Sequence, residues 1–374
     1  MAPVVHECRR RECDVEPIVC LTGQHREMLT QVTDFFGISA DEDLDLMRPD
    51  QTLASLTSRC LESLDAVLVR RQPHCVVAQG DTTTVMAAAL GAFYRGIPFV
   101  HVEAGLRTGN LMAPWPEELN RRIADMVTAL YCAPTPRAEQ ALLNEGVLPS
   151  KIRITGNTVV DALLSTMDRH RANGNSFRGK YAFLGDRPAI LITGHRRESF
   201  GAGFDNMCRA IALLADRFRH CHFVYPVHLN PNVQKPVTRI LGGRANIHLI
   251  PPLHYPEFVW LMDRCRLILT DSGGVQEEAP TLRKPVLVMR DVTERPEALE
   301  AGAARLVGTS TETIAAAVTA LLTNEREYAA CQIDTNPYGD GRAAERIVRW
   351  MLEQGWQAQP AAIAKTRNYP IASQ

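Results

Sequence analysis

The chain has 374 residues, 45% of them hydrophobic and 22% charged, with a formal net charge of −1. That length exceeds one ordinary core and predicts roughly two domains, while the balanced charge excludes the global basicity of a nucleic-acid-binding protein. No apolar stretch reaches the roughly 20 residues of a membrane span and no signal-peptide core follows the N-terminus, so we expect a cytoplasmic protein without membrane partners. The 10 cysteines include no C-x-x-C pair, and those beside apolar runs, such as Cys20, Cys132 and Cys265, suit a reducing compartment.

In chain order, short aliphatic runs at 17–21, 75–79, 98–102, 129–132 and 152–155 alternate with longer amphipathic stretches. The rhythm resumes at 189–193, 222–226, 247–250, 267–270 and 285–289. Strand followed by helix, repeated, is the pattern of a parallel α/β sheet. A polar, glycine-containing stretch at about 168–186 separates the two sets and marks a domain boundary. Beyond the Asn-Pro-Tyr-Gly-Asp-Gly turn at 336–341, Ile347, Val348, Met351 and Leu352 form a helical apolar stripe. In doubly wound domains ligands meet the carboxyl ends of the strands, so polar residues ending the apolar runs are the candidates.

In the first half, 75–79 leads to Gly80-Asp81-Thr82-Thr83-Thr84, and 98–102 leads to Glu103-Ala104-Gly105-Leu106-Arg107. Asp81 could cap the following helix and Glu103 could pair with Arg107, or both could be proton-handling carboxylates on one rim. Pro114-Trp115-Pro116-Glu117-Glu118 then marks a helix start. The spacing predicts i,i+4 pairs Glu117–Arg121 and Glu118–Arg122, with Leu119, Ile123 and Met126 as the buried stripe.

In the second half, Thr193-Gly194-His195-Arg196-Arg197 suits phosphate recognition by charge-assisted hydrogen bonds. Thr270-Asp271-Ser272-Gly273-Gly274-Val275-Gln276-Glu277-Glu278 ends a strand and opens a helix. Side-chain-free residues there leave backbone N–H groups for an anion, whereas the acids behind them suit hydroxyls. Gly201-Ala202-Gly203 does not complete a dinucleotide fingerprint, and no Cys/His/Asp set has metal-ligand spacing, so neither NAD nor zinc is expected.

Several stretches together resemble the non-hydrolysing UDP-N-acetylglucosamine 2-epimerases of bacterial cell-surface polysaccharide pathways. They are Gln-His-Arg-Glu-Met-Leu (24–29), Gly-Asp-Thr-Thr-Thr (80–84), His-Val-Glu-Ala-Gly-Leu-Arg-Thr-Gly (101–109), Trp-Pro-Glu-Glu-Leu-Asn-Arg (115–121), Thr-Gly-Asn-Thr-Val-Val-Asp-Ala-Leu (155–163), Thr-Gly-His-Arg-Arg-Glu-Ser (193–199), Tyr-Pro-Val-His-Leu-Asn-Pro-Asn-Val (225–233), Asp-Ser-Gly-Gly-Val-Gln-Glu-Glu-Ala-Pro (271–280) and Arg-Asp-Val-Thr-Glu-Arg-Pro-Glu (290–297). The resemblance covers almost the whole chain. It implies an α/β fold of two Rossmann-like doubly wound domains facing a cleft (GT-B-like), with 1–170 carrying the catalytic carboxylates, 171–340 binding UDP, and 341–374 a helix crossing back plus a tail.

The implied reaction is reversible C2 epimerisation of UDP-N-acetylglucosamine to UDP-N-acetylmannosamine, by elimination of UDP to 2-acetamidoglucal and re-addition, without a cofactor or metal. Asp81, Glu103 and Glu117 match the family's catalytic carboxylates, with Arg121 and His195 beside them. His195, Phe258, Ser272, Gly273, Gly274, Glu278 and Arg295 match its UDP contacts. The resemblance further implies a homodimer, and substrate acting also as an allosteric effector through Gln24, His25 and Arg26. Family members begin with a strand and Gly-Thr-Arg-Pro-Glu ahead of Met-Ala-Pro, which here opens the chain. The first strand is therefore expected to be missing, through a start assigned at an internal methionine. The alternatives are a truncated, catalytically impaired UDP-sugar-binding protein and a GT-B UDP-sugar glycosyltransferase.

Overall fold

The computed structural model describes residues 1–23, 26–48, 50–172 and 177–357. The chain divides into two compact units, Met1–Asp161 with the chain from Gly341 on, and Ala162–Asp340. The first boundary falls ahead of the polar stretch at 168–186. Among the described residues no helix is long and apolar enough to cross a membrane, and all ten cysteines are free.

The first unit runs α1 (Ala2–Arg10), β1 (Cys20–Leu21), α2 (Arg26–Phe36), β2 (Glu42–Asp43), α3 (Leu53–Arg71), β3 (Val76–Gln79), α4 (Thr83–Arg95), β4 (Phe99–Val102), α5 (Glu117–Met126), β5 (Leu130–Ala133), α6 (Pro136–Asn144), β6 (Ile152–Ile154) and into α7 (Thr158–Ala172). Its strands form two parallel sheets, β1-β2 and β3-β4-β5-β6, not one continuous sheet. Both pack on the apolar core under α3 and α4, where Cys20 and Leu44 meet Val76, Ala78 and the buried Leu56, Val85 and Phe99. Every β4 and β5 residue is buried, as parallel strands covered on both faces must be.

Local chemistry sets the helix ends. The Thr52, Thr82 and Thr135 hydroxyls accept the N–H groups of Ser55, Val85 and Ala138 at the starts of α3, α4 and α6, satisfying donors that have no partner within the helix. Gly96 closes α4 in the left-handed region at φ 69°.

The second unit continues with β7 (Ala189–Thr193), α8 (Ala202–Arg217), β8 (His222–Pro226), α9 (Pro231–Leu241), β9 (Ile247–Ile250), α10 (Tyr255–Arg264), β10 (Leu267–Thr270), α11 (Gly273–Glu278), β11 (Val286–Val288), α12 (Pro296–Glu300), β12 (Ala304–Leu306), α13 (Thr311–Thr323) and α14 (Glu325–Ala330). One parallel sheet in the order β12-β11-β10-β7-β8-β9 results. Strand order reverses between β10 and β7, whose last residues, Thr270 and Thr193, are register partners joined through their hydroxyls. A doubly wound sheet binds ligands at such a reversal.

α15 (Ala343–Glu353) returns to the first unit. Its Ile347, Val348 and Trp350 pack with Val4 and Cys8 of α1 on Val100, Val102, Leu130 and Cys132. The Asp161 carboxylate accepts the Ala343 and Ala344 N–H groups at 3.2 and 2.8 Å, a negative charge on the positive end of the helix dipole.

Candidate active site

Register places Gln79 of β3 beside Val102 of β4, so Asp81 and Glu103 follow neighbouring strands. Gly80 turns at φ 82°, and a Cβ there would lie 4.0 Å from Glu103 Oε2. Glu103 itself is left-handed at φ 67°, a conformation that costs a non-glycine residue energy and is concentrated at functional sites. Its Oε2 accepts a hydrogen bond from Gln79 Nε2 at 3.2 Å.

Two structural alternatives for these acids do not hold. Thr82, not Asp81, caps α4; the Asp81 carboxylate instead accepts a hydrogen bond from Arg121 Nη2 at 2.5 Å, and its carbonyl accepts one from Asn120 Nδ2 at 3.0 Å. Arg107 bonds Asp125 and Glu145, each at 2.7 Å.

The expected polarity of α5 is also corrected. The helix buries Glu118, Asn120, Arg121, Ala124 and Asp125, whereas Leu119 is 42% and Met126 83% exposed. One member of each predicted i,i+4 pair, Arg121 and Glu118, is engaged elsewhere. Arg121 turns to Asp81 and to Glu118 at 3.5 Å. Glu118 accepts the Thr108 and Gly109 N–H groups at 3.1 and 3.3 Å. Glu117 opens the helix half-buried. Charged groups are costly to bury, so a helix turned polar side inward signals a site.

Beneath this rim lies a network that motif reading missed. His101, wholly buried on β4, reaches Asp125 Oδ1 through Nδ1 at 2.6 Å and the Gly80 carbonyl through Nε2 at 2.8 Å. Burial alone would lower its pKa, but Asp125, the Gly80 carbonyl and Glu103 together raise it. Burial likewise opposes ionisation of Asp125, and the His101 and Arg107 charges overcome it, leaving its pKa lowered.

In the second unit, β7 and β10 end where strand order reverses. The wholly buried Asp271 accepts the backbone N–H groups of His195 and Arg196 through Oδ2, both at 2.7 Å. The His195 ring stacks on His228 with centroids 5.3 Å apart. Burial lowers the His195 pKa; Asp271 opposes that, while His228 and Arg196 add to it. Ser272 occupies the N-cap position of α11 without using its hydroxyl to cap. Gly274 faces open space and Gly273 has Arg196 Nη2 3.8 Å from where a Cβ would be.

The three polar residues ending α11 are all buried, each differently bound. Gln276 donates to the Ser272 carbonyl at 3.0 Å and accepts from Thr293 at 2.8 Å. Glu277 pairs with Arg295. Glu278 accepts the Tyr255 hydroxyl at 2.7 Å, and burial pushes its pKa up to about 7. Phe258 lies half-buried on α10, the helix that carries Tyr255. Gln24 and His25 lie outside the described residues, and Arg26 opens α2, its side chain likewise undescribed. Among the described residues no three His, Cys, Asp or Glu side chains group to hold a metal.

Two parallel-sheet units, one with carboxylates and the other with a His-Arg turn and a Ser-Gly-Gly turn at their strand ends, define a GT-B-like α/β enzyme. Residues 6–352 match the family model described as UDP-N-acetylglucosamine 2-epimerase. Curated relatives of that name are 52% identical in Escherichia coli K12, over 93% of this chain and 93% of the relative, and 52% identical in Yersinia pestis, over 93% and 94%. The solved Neisseria meningitidis UDP-GlcNAc 2-epimerase bound to UDP-GlcNAc is 45% identical, covers 94% of this chain and 96% of its own, and superposes with a TM-score of 0.89. The chain belongs to the UDP-N-acetylglucosamine 2-epimerase family of isomerases.

Proposed function

We propose that the protein interconverts UDP-N-acetylglucosamine and UDP-N-acetylmannosamine by eliminating UDP and adding it back. Breaking the C1–O bond sends its electron pair out with UDP and builds positive charge at C1. That charge acidifies the C2 proton, which a carboxylate removes to leave the C1=C2 double bond of 2-acetamidoglucal. A proton delivered to the opposite face of C2 as UDP re-adds at C1 completes inversion. Such chemistry needs bases in reach of C2 and cationic groups for the departing diphosphate. Asp81, Glu103 and Glu117 are assigned to the proton transfers, with Arg121 and His195 offsetting developing charge.

UDP is assigned to the second unit: diphosphate at Ser272, Gly273, Gly274 and His195, ribose hydroxyls at Glu278, uracil beside Phe258, with Arg295 holding Glu277 close by. The observation that carries this reading is the inward-turned polar face of α5, which ties Arg121 to Asp81 at 2.5 Å. A homodimer, a cytoplasmic setting and allosteric control by substrate through Gln24, His25 and Arg26 complete the reading.

Proton NMR of UDP-N-acetylglucosamine incubated with the protein tests it. The expected product is UDP-N-acetylmannosamine at equilibrium with substrate, with the conversion lost in Asp81→Asn, Glu103→Gln and Glu117→Gln. Unchanged substrate, or free sugar and UDP as the final products, overturns the proposal.

A further inference from the structure

His101 is not among the residues assigned to the reaction, yet it is the wholly buried polar centre of the rim that carries two of them. Its two ring nitrogens have different neighbours: the Asp125 carboxylate at 2.6 Å from Nδ1 and the Gly80 carbonyl at 2.8 Å from Nε2. A carbonyl oxygen can only accept, so Nε2 carries a hydrogen. Asp125 also accepts from Arg107 Nη2 at 2.7 Å through Oδ2, which favours its ionised form, and an ionised carboxylate accepts only. Nδ1 therefore carries a hydrogen too, and the ring is an imidazolium.

The charged and aromatic groups around it fit that state. Asp125 faces it from α5, the Glu103 charge acts on it from the end of its own strand, and Arg107 stands behind Asp125. The Phe99 ring lies 5.9 Å away. Buried charge is retained only when paired and hydrogen-bonded, and here each ring N–H has one acceptor.

What the ring holds is the turn on which the proposed chemistry depends. The Gly80 carbonyl belongs to the left-handed residue at φ 82° that leads into Asp81. Asn120 of α5 binds the Asp81 carbonyl at 3.0 Å, and Asp125 of the same helix binds His101. The β3 end, β4 and α5 are thereby locked into one arrangement.

We propose that His101 is a positioning residue, a buried imidazolium clamped between Asp125 and the Gly80 carbonyl that fixes the Gly80–Asp81 turn for proton transfer. The proposal rests on the assignment of Asp81 to the reaction. His101 touches no substrate in this scheme. Its loss therefore acts on turnover and not on nucleotide affinity, which belongs to the second unit.

The test combines a spectroscopic and a kinetic arm. In protein labelled with ¹⁵N-histidine at about pH 8, the His101 ring, identified by its through-space contacts with the Phe99 ring, should show both nitrogens protonated. A ring with one unprotonated nitrogen overturns the proposal. His101→Leu, which removes both N–H groups, should lower kcat about 100-fold, and His101→Gln, which keeps a donor, should recover part of that loss. UDP affinity by calorimetry should stay within about twofold of the parent for both variants. Folded variants with parental kcat, or a loss in UDP affinity matching the loss in kcat, overturn it. If both variants fail to fold, the ring's protonation state in the parent decides. If the parent shows no epimerisation, the functional assignment falls with the kinetic arm, while the NMR arm still tests the imidazolium.

Discussion

Tyr255 donates its phenolic hydrogen to Glu278 Oε1 at 2.7 Å, across the start of α10 and the end of α11. Burial pushes the Glu278 pKa up to about 7, Glu277 adds to the rise, and the Tyr255 hydroxyl opposes it. In the proposed binding mode the ionised Glu278 carboxylate accepts the ribose hydroxyls far more strongly than the neutral acid does. Affinity should therefore rise with pH through about 7 and weaken about 10-fold at one unit below it. Calorimetry with UDP-N-acetylglucosamine, whose diphosphate diester does not titrate there, checks this. Glu278→Gln should be flat across the range.

Asp81 sits 2.5 Å from Arg121. Asp81→Asn keeps the side chain's shape and removes its capacity as a base, so kcat should fall about 10²- to 10⁴-fold. UDP binding should be unaltered. Steady-state rates and UDP calorimetry on the same preparation separate the two effects.

Asp125 is 4% exposed and carries both His101 and Arg107. Asp125→Ala leaves the buried His101 ring without its carboxylate and Arg107 with Glu145 alone, and should destabilise the first unit by about 3 kcal/mol in urea denaturation. The pair also gives stability a two-sided pH dependence. The His101 pKa is raised, so its contribution is complete below the ordinary imidazole value and is lost as pH rises past the raised one. The Asp125 pKa is lowered, so its contribution is present above the ordinary carboxyl value and is lost as pH falls past the lowered one. Asp125→Ala should flatten both limbs of the pH–stability curve.

Gly105 follows the rim at φ 88°, and a Cβ there would stand 2.3 Å from the Ala138 carbonyl oxygen. Gly105→Ala combines backbone strain with a clash against the start of α6. It should cost at least about 2 kcal/mol, measured as a shift in the urea midpoint.

The strands of the second unit were legible almost to the residue: 189–193, 222–226, 247–250 and 267–270 are β7 to β10. β7 and β10, Ala-Ile-Leu-Ile-Thr and Leu-Ile-Leu-Thr, are near-continuous aliphatic runs, the signature of strands covered on both faces. β2 and β12 escaped notice because Glu42-Asp43 is charged and Ala304-Arg305-Leu306 is short. The orientation of α5 was misread for a different reason. Periodicity assumes that apolar residues face inward, and in α5 the buried face serves Asp81 and the Thr108–Gly109 turn, leaving Leu119 and Met126 outside. His101 was invisible for want of a local signal: Asp125 is 24 residues away and Gly80 is 21. The folded register of β3 against β4 brings Gly80 to His101, and the placement of α5 brings Asp125.

The central claim is that the C2 proton leaves the sugar and is replaced from the protein's exchangeable groups. Incubation with UDP-N-acetylglucosamine in D2O, followed by mass spectrometry and proton NMR of the recovered nucleotide sugars, reads this directly. Deuterium at C2 of the UDP-N-acetylmannosamine formed is the predicted result. Conversion with protium retained at C2 would contradict it.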